Sequence, residues 1–132
     1  MPFFVLKQFD NLNTNNSMIY IQDEQVNTFA LTLTENATIS EPYFLFKFQW
    51  EFDMTSAPIY WVGTDTSPYP ERYNLFTLEE GVDLDLRFGQ YTYTVYESPI
   101  DITVDENTTE EDLNELEERR MVVEGTTTTI YE

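Results

Sequence analysis

Tyr43-Phe44-Leu45-Phe46-Lys47-Phe48-Gln49-Trp50-Glu51-Phe52 alternates without a break. Successive side chains of a strand point to opposite faces. Phe44, Phe46, Phe48, Trp50 and Phe52 therefore share one face, and Tyr43, Leu45, Lys47, Gln49 and Glu51 the other. Burying one such ring stabilises a fold by roughly 1.5–3 kcal/mol. Five in a row place this strand at the centre of the core.

Working outward, the same period recurs. Residues 28–34 set Phe29, Leu31 and Leu33 against Thr28, Ala30, Thr32 and Thr34. Residues 82–88 set Val82, Leu84, Leu86 and Phe88 against Asp83, Asp85 and Arg87, and residues 90–97 place Tyr91, Tyr93 and Val95 together. Residues 59–62 and 73–78 are further strands. Residues 121–124 and 127–131 read as the arms of a hairpin, and residues 3–6 as an edge strand. Gly63, Gly81, Gly89 and Gly125 fall where one run ends or the next begins, as tight turns require. Pro42, Pro58, Pro68, Pro70 and Pro99 lie outside the ladders, where a missing N–H is tolerated.

One segment departs from this period. Residues 101–118 hold nine of the 25 acidic residues. Thr109-Glu110-Glu111-Asp112 approximates a capping box, and Leu113 and Leu116 stand three apart. Those signals, with Arg119 and Arg120 placed to answer the helix dipole, predict a short helix near 109–117; the alternative is a solvated acidic loop. Seven to nine short strands at roughly ten-residue spacing predict one all-β domain over 1–132, an antiparallel immunoglobulin-like β-sandwich with an acidic insertion at 101–118. Tyr91, just after Gly89, occupies the place where such sandwiches set a tyrosine whose hydroxyl returns to the backbone.

Composition narrows the chemistry. Ten Phe, nine Tyr and two Trp supply a core, and the net charge is −19 with only six Lys and Arg. Phosphate-backbone binding needs clustered bases, so no nucleic acid is expected as a partner, and an anionic membrane is disfavoured by the same argument. No stretch approaches the ~20 apolar residues of a membrane span, and residues 1–9 lack the features of a signal peptide. With no Cys, the expectation is synthesis in a reducing cytoplasm. Sequons at Asn15, Asn36 and Asn107 carry no weight without a secretory signal.

The chain has no His and no Cys, hence no group that titrates near neutrality unaided, no thiolate and no soft metal ligand. Ser lacks a partner base, and no glycine-rich phosphate loop is present. Among 25 acids some pair will meet glycosidase spacing by chance. Asp105-x-Asn107-x-Thr109 opens like a calcium loop, but Glu110 stands where that loop needs Gly. Trp61, Tyr60, Tyr69, Tyr73 and Tyr96 could form a sugar platform, though core or interface use is the stronger expectation. The expectation is a protein without enzymatic activity, catalytic residues, cofactor or metal.

Three stretches carry a resemblance: Tyr43-Phe44-Leu45-Phe46-Lys47-Phe48, then Asp65-Thr66-Ser67-Pro68-Tyr69-Pro70-Glu71-Arg72-Tyr73-Asn74-Leu75-Phe76-Thr77, then Phe88-Gly89-Gln90-Tyr91-Thr92-Tyr93-Thr94-Val95-Tyr96-Glu97. Over residues 28–97 the chain resembles small structural proteins of tailed bacteriophages, among them crAss-like phages of Bacteroidota. The acidic segment is longer and more charged than in that group, and the N-terminal segment finds no match. The resemblance implies a β-sandwich virion protein, first an auxiliary capsid or head decoration protein, second a neck or tail component. Its expected partners are the major capsid protein or other virion proteins, with self-association as a further expectation; because strand edges pair with other chains, at least one of the edges at 3–6 and 121–131 is expected to contact a neighbouring subunit or the shell. Its expected location is the virion, after synthesis in the host cytoplasm. Excess acid also admits a DNA mimic that occupies a host DNA-binding protein.

Overall fold

A computed structural model describes residues 18–53 and 55–125. Seven strands make two sheets: β1 (Met18–Gln22), β2 (Val26–Leu31), β3 (Tyr43–Trp50), β4 (Ile59–Gly63), β5 (Asn74–Glu79), β6 (Gly89–Ser98) and β7 (Asn114–Glu124). One sheet runs β1-β7-β6-β3-β4 and the other pairs β2 with β5. This is the all-β immunoglobulin-like sandwich that the alternation predicts, with β2 and β5 in the places of strands B and E, and β4, β3, β6 and β7 in those of C′, C, F and G. One pairing is not antiparallel. β1 runs parallel to β7, with Ile19 opposite Met121 and Ile21 opposite Val123.

The core forms because the ring-bearing face of β3 meets the small sheet. Phe44, Phe46 and Phe48 are buried, and Phe76 of β5 crosses the layer to lie 5.5 Å from Phe44 and 5.0 Å from Phe46, both edge to face. Rings prefer that geometry because the positive edge of one meets the negative face of the other. Phe29 of β2 and Trp61 of β4 close on the same centre, 6.1 and 5.0 Å from Phe46. Tyr91 and Tyr93 lie beside these rings on β6, fully buried. The Tyr91 hydroxyl donates to the carbonyl of Arg87 at 3.0 Å, the backbone return expected of a tyrosine that opens this strand.

Several expectations need correction. The face of β3 does not stay buried to its end: Trp50 is half-buried and Phe52, beyond the last pairing, is 76% exposed. Residues 82–88 do not form a strand. Val82 and Asp83 instead turn back on the Glu79 carbonyl, and the N–H of Leu86 donates to the buried Glu80 carboxylate rather than to a neighbouring strand. Leu86 is buried as the alternation implies, but by a loop.

The helix near 109–117 is absent; residues 111–112 turn and β7 begins at Asn114. A helix here would leave the backbone groups along one edge of β6 without partners, which is costly when they are buried. The spacing of Leu113 and Leu116 has another cause. Val95 pairs with Glu117 and Tyr96 with Glu115, so Leu116 is the extra residue of a β-bulge, and it is buried. Residues 121–124 are not an exposed edge either, since β7 lies between β6 and β1. The second hairpin arm at 127–131 and the edge strand at 3–6 lie outside the described residues.

Candidate functional site

Three connections meet at one end of the sandwich: 32–42 between β2 and β3, 64–73 between β4 and β5, and 99–113 between β6 and β7. Strand direction dictates this, because β2, β4 and β6 all end where β3, β5 and β7 begin. In variable immunoglobulin domains the matching end carries the binding loops. Here it holds a cleft of about 530 Å³. Ala37, Ile39, Pro42, Tyr43, Phe44 and Val62 contribute its apolar wall, and Glu41, Glu71 and Asp101 its carboxylates. Glu41 sits at φ 53°, a left-handed conformation that a non-glycine residue adopts only where its surroundings enforce it.

Two buried polar side chains hold these loops. Glu97, 1% exposed, accepts from the N–H of Thr38 at 2.9 Å, the Thr38 hydroxyl at 2.6 Å, the N–H of Ile39 at 3.0 Å and Asn114 Nδ2 at 2.7 Å. Burial pushes its carboxyl up, but the bonds from Thr38, Asn114 and Ile39 outweigh that and hold it below the usual range. Asn74, also 1% exposed, accepts from the N–H of Leu33 at 2.8 Å and donates to Thr34 Oγ1 and Asp65 Oδ2. Asp65 in turn accepts from the N–H groups of Ser67 and Leu75. With Asp65 committed to structure, Glu41, Glu71 and Asp101 are the carboxylates left to meet a ligand.

Residues 99–113 also cross the outer face of the large sheet. Glu110 accepts from Lys47 Nζ at 3.0 Å and from the Tyr60 hydroxyl at 2.5 Å. The bond from Tyr60, with that from Lys47, outweighs burial, which pushes the Glu110 carboxyl up, and holds it below its usual range. Beside this clasp lies a shallow depression of about 340 Å³ lined by Lys47, Gln49, Thr92, Thr94 and Glu118. Two more bases have partners elsewhere. Arg120 approaches Glu51 at 3.8 Å, and the Arg87 guanidinium lies 4.3 Å from the centre of the Trp50 ring. With 25 acids against six bases, the charge of the chain is overwhelmingly negative.

The five aromatics that could have made a sugar platform do not come together. Trp61 packs on Phe29, Phe46 and Phe48, while Tyr60, its neighbour in β4, points to the other face. Tyr96 is buried, Tyr69 is 54% exposed and Tyr73 half-buried. The stretch 105–109 closes on itself as a turn. Asp105 Oδ1 accepts from the N–H of Asn107, and the Thr108 hydroxyl accepts from the N–H of Asp105. Among the described residues no three acidic side chains gather in a metal-holding group. Ser40 stands in the cleft, but the chain offers it no His as a base.

The anchors Glu97 and Asn74 are the functional residues that pattern reading passed over, and the signal for both was phase. Glu97 continues the inward series Tyr91, Tyr93, Val95, and Asn74 opens the inward series Phe76, Leu78. What the end of the sandwich can do chemically is bind: an apolar wall for an aliphatic stem, and carboxylates for a cationic tip. No protein-family description matches the chain, and comparison with curated proteins and with solved structures returns no match.

Proposed function

We propose that the chain is a non-enzymatic structural protein of a bacteriophage virion, an auxiliary capsid or head decoration protein that binds the shell. The observation that carries this reading is the loop-bearing cleft with its carboxylate rim on a chain of net charge −19. Such a surface is repelled by packaged nucleic acid, stays soluble before assembly, and selects a basic or polar protein surface as its partner. The resemblance over residues 28–97 supplies the particle context. A neck or tail position uses the same binding surface.

Mass spectrometry of purified particles tests the reading. The expected result is the chain at a fixed stoichiometry to the major shell protein, in many copies. A copy number matching a single ring would move it to neck or tail. Absence from particles, with expression early in infection, would overturn the virion reading in favour of the DNA mimic.

A further inference from the structure

The opposite end of the sandwich carries a second surface, built from the 23–25 turn, residues 51–53 and the 80–88 connection. Phe52 is 76% and Phe88 53% exposed, and Trp50 lies between them. Phe52 meets Trp50 edge to face at 5.2 Å, and Trp50 Nε1 donates to the Phe88 carbonyl at 3.3 Å.

The patch is held by two close approaches. A Cβ on Gly89, which adopts φ 131°, would stand 3.0 Å from Trp50 Nε1 and 3.1 Å from Phe52. A Cβ on Gly125 would stand 3.0 Å from the Phe88 ring. The rings therefore press closely on bare glycine backbone, which restricts their orientation in advance and lowers the entropic cost of binding.

Charge indicates what could cover them. By topology, Asp23, Glu24, Asp53, Asp83, Asp85 and Glu124 belong to this end. Arg87 and Arg120 answer them, and both are already engaged, on the Trp50 ring and with Glu51. Arg87 also illustrates the recognition: a guanidinium 4.3 Å from an indole centre is a cation–π contact. A phosphate-bearing ligand would be repelled here, and a second copy of a chain of charge −19 would bring the same sign.

We propose that the Trp50–Phe52–Phe88 patch is a docking surface for a basic protein segment in which Arg or Lys alternates with aliphatic residues. The aliphatic side chains cover Phe52 and Phe88, and the cations meet the surrounding carboxylates and ring faces. This surface is distinct from the cleft at the other end, and its existence does not depend on whether the chain is part of a particle.

The test uses the full chain, with a synthetic heptapeptide of alternating Arg and Leu as probe and an Arg/Ser peptide of equal charge as control. Binding is followed by calorimetry and tryptophan emission. The expected result is binding of the Arg/Leu peptide at least about tenfold weaker, a loss of about 1.4 kcal/mol, in Phe52→Ser/Phe88→Ser than in the wild type. Glu106→Gln, an exposed acid outside both the patch and the cleft lining, should bind as the wild type does, and the Arg/Ser peptide should bind weakly to all. Should the double variant not fold, Phe52→Ser alone decides, because that ring is mostly in solvent. Equal affinity of variant and wild type, or of the two peptides, would overturn the proposal in favour of charge alone. Failure to bind with Trp50 shielded from acrylamide would also overturn it: sedimentation then assigns the patch to a second copy if the chain is dimeric, and to the chain's own residues if monomeric.

Discussion

Removing the Glu97 side chain is the sharpest perturbation of the loop-bearing end. Glu97→Ala leaves the N–H groups of Thr38 and Ile39, the Thr38 hydroxyl and Asn114 Nδ2 without their acceptor. A hydrogen bond to a charged group is worth about 1.5–3 kcal/mol. The four donors share one carboxylate and do not add, the 32–42 connection can open to water, and the desolvation cost of the carboxylate is recovered. The net expectation is a loss of about 2–4 kcal/mol in urea unfolding at pH 7, with faster proteolysis inside residues 32–42. Glu97→Gln keeps the size and one acceptor oxygen, and should lose about half as much.

The pH dependence carries a sign. The folded-state carboxyl is held below its usual range, so its stabilisation is present above the ordinary carboxylate pKa and is lost as pH falls through the depressed value. The gap between wild type and Glu97→Gln should therefore narrow as the pH is lowered toward 2. A Glu97→Ala protein within 1 kcal/mol of wild type at pH 7, or a gap indifferent to pH, would refute the claim that Glu97 holds the cleft together.

Two further expectations concern the core and its margin. Phe46→Ala removes a fully buried ring that meets four others; it should cost about 3–5 kcal/mol, and an unchanged melting temperature would invert the inside and outside of β3. Burial holds the Glu117 carboxyl above its usual range, despite the Tyr93 hydroxyl and Arg119 beside it. With a raised folded-state pKa, wild-type stability is lost as pH rises through that value, so Glu117→Gln should gain on wild type above it and match wild type at pH 3 in thermal melts. A wild type that stays the more stable protein at pH 7 would contradict this.

The face of each strand that carries the core rings is legible in the order of residues alone. Alternation in 43–48, 28–33 and 90–95 reports which face meets the second sheet, because in a strand the pleat converts position into side, but it does not report the burial of Leu45 and Tyr96 on the opposite face. The same logic located Tyr91 at the opening of β6. Alternation could not decide whether a buried face belongs to a strand or a loop. Leu84 and Leu86 point inward from a loop because the buried Glu80 carboxylate, accepting from the distant N–H of Glu24 and the nearby N–H of Leu86, replaces a ladder. Nor could it distinguish the helical spacing of Leu113 and Leu116 from a bulge, since a bulge exists only relative to the partner strand. The site was hidden for a related reason. Glu97 and Asn74 read as polar residues at strand ends, and only tertiary structure brings Thr38, Ile39, Asn114 and Leu33 to within hydrogen-bond reach of them. Which carboxylates rim the cleft and which are spent on structure is likewise decided there, because a carboxylate's role depends on the donors around it and those donors come from distant parts of the chain.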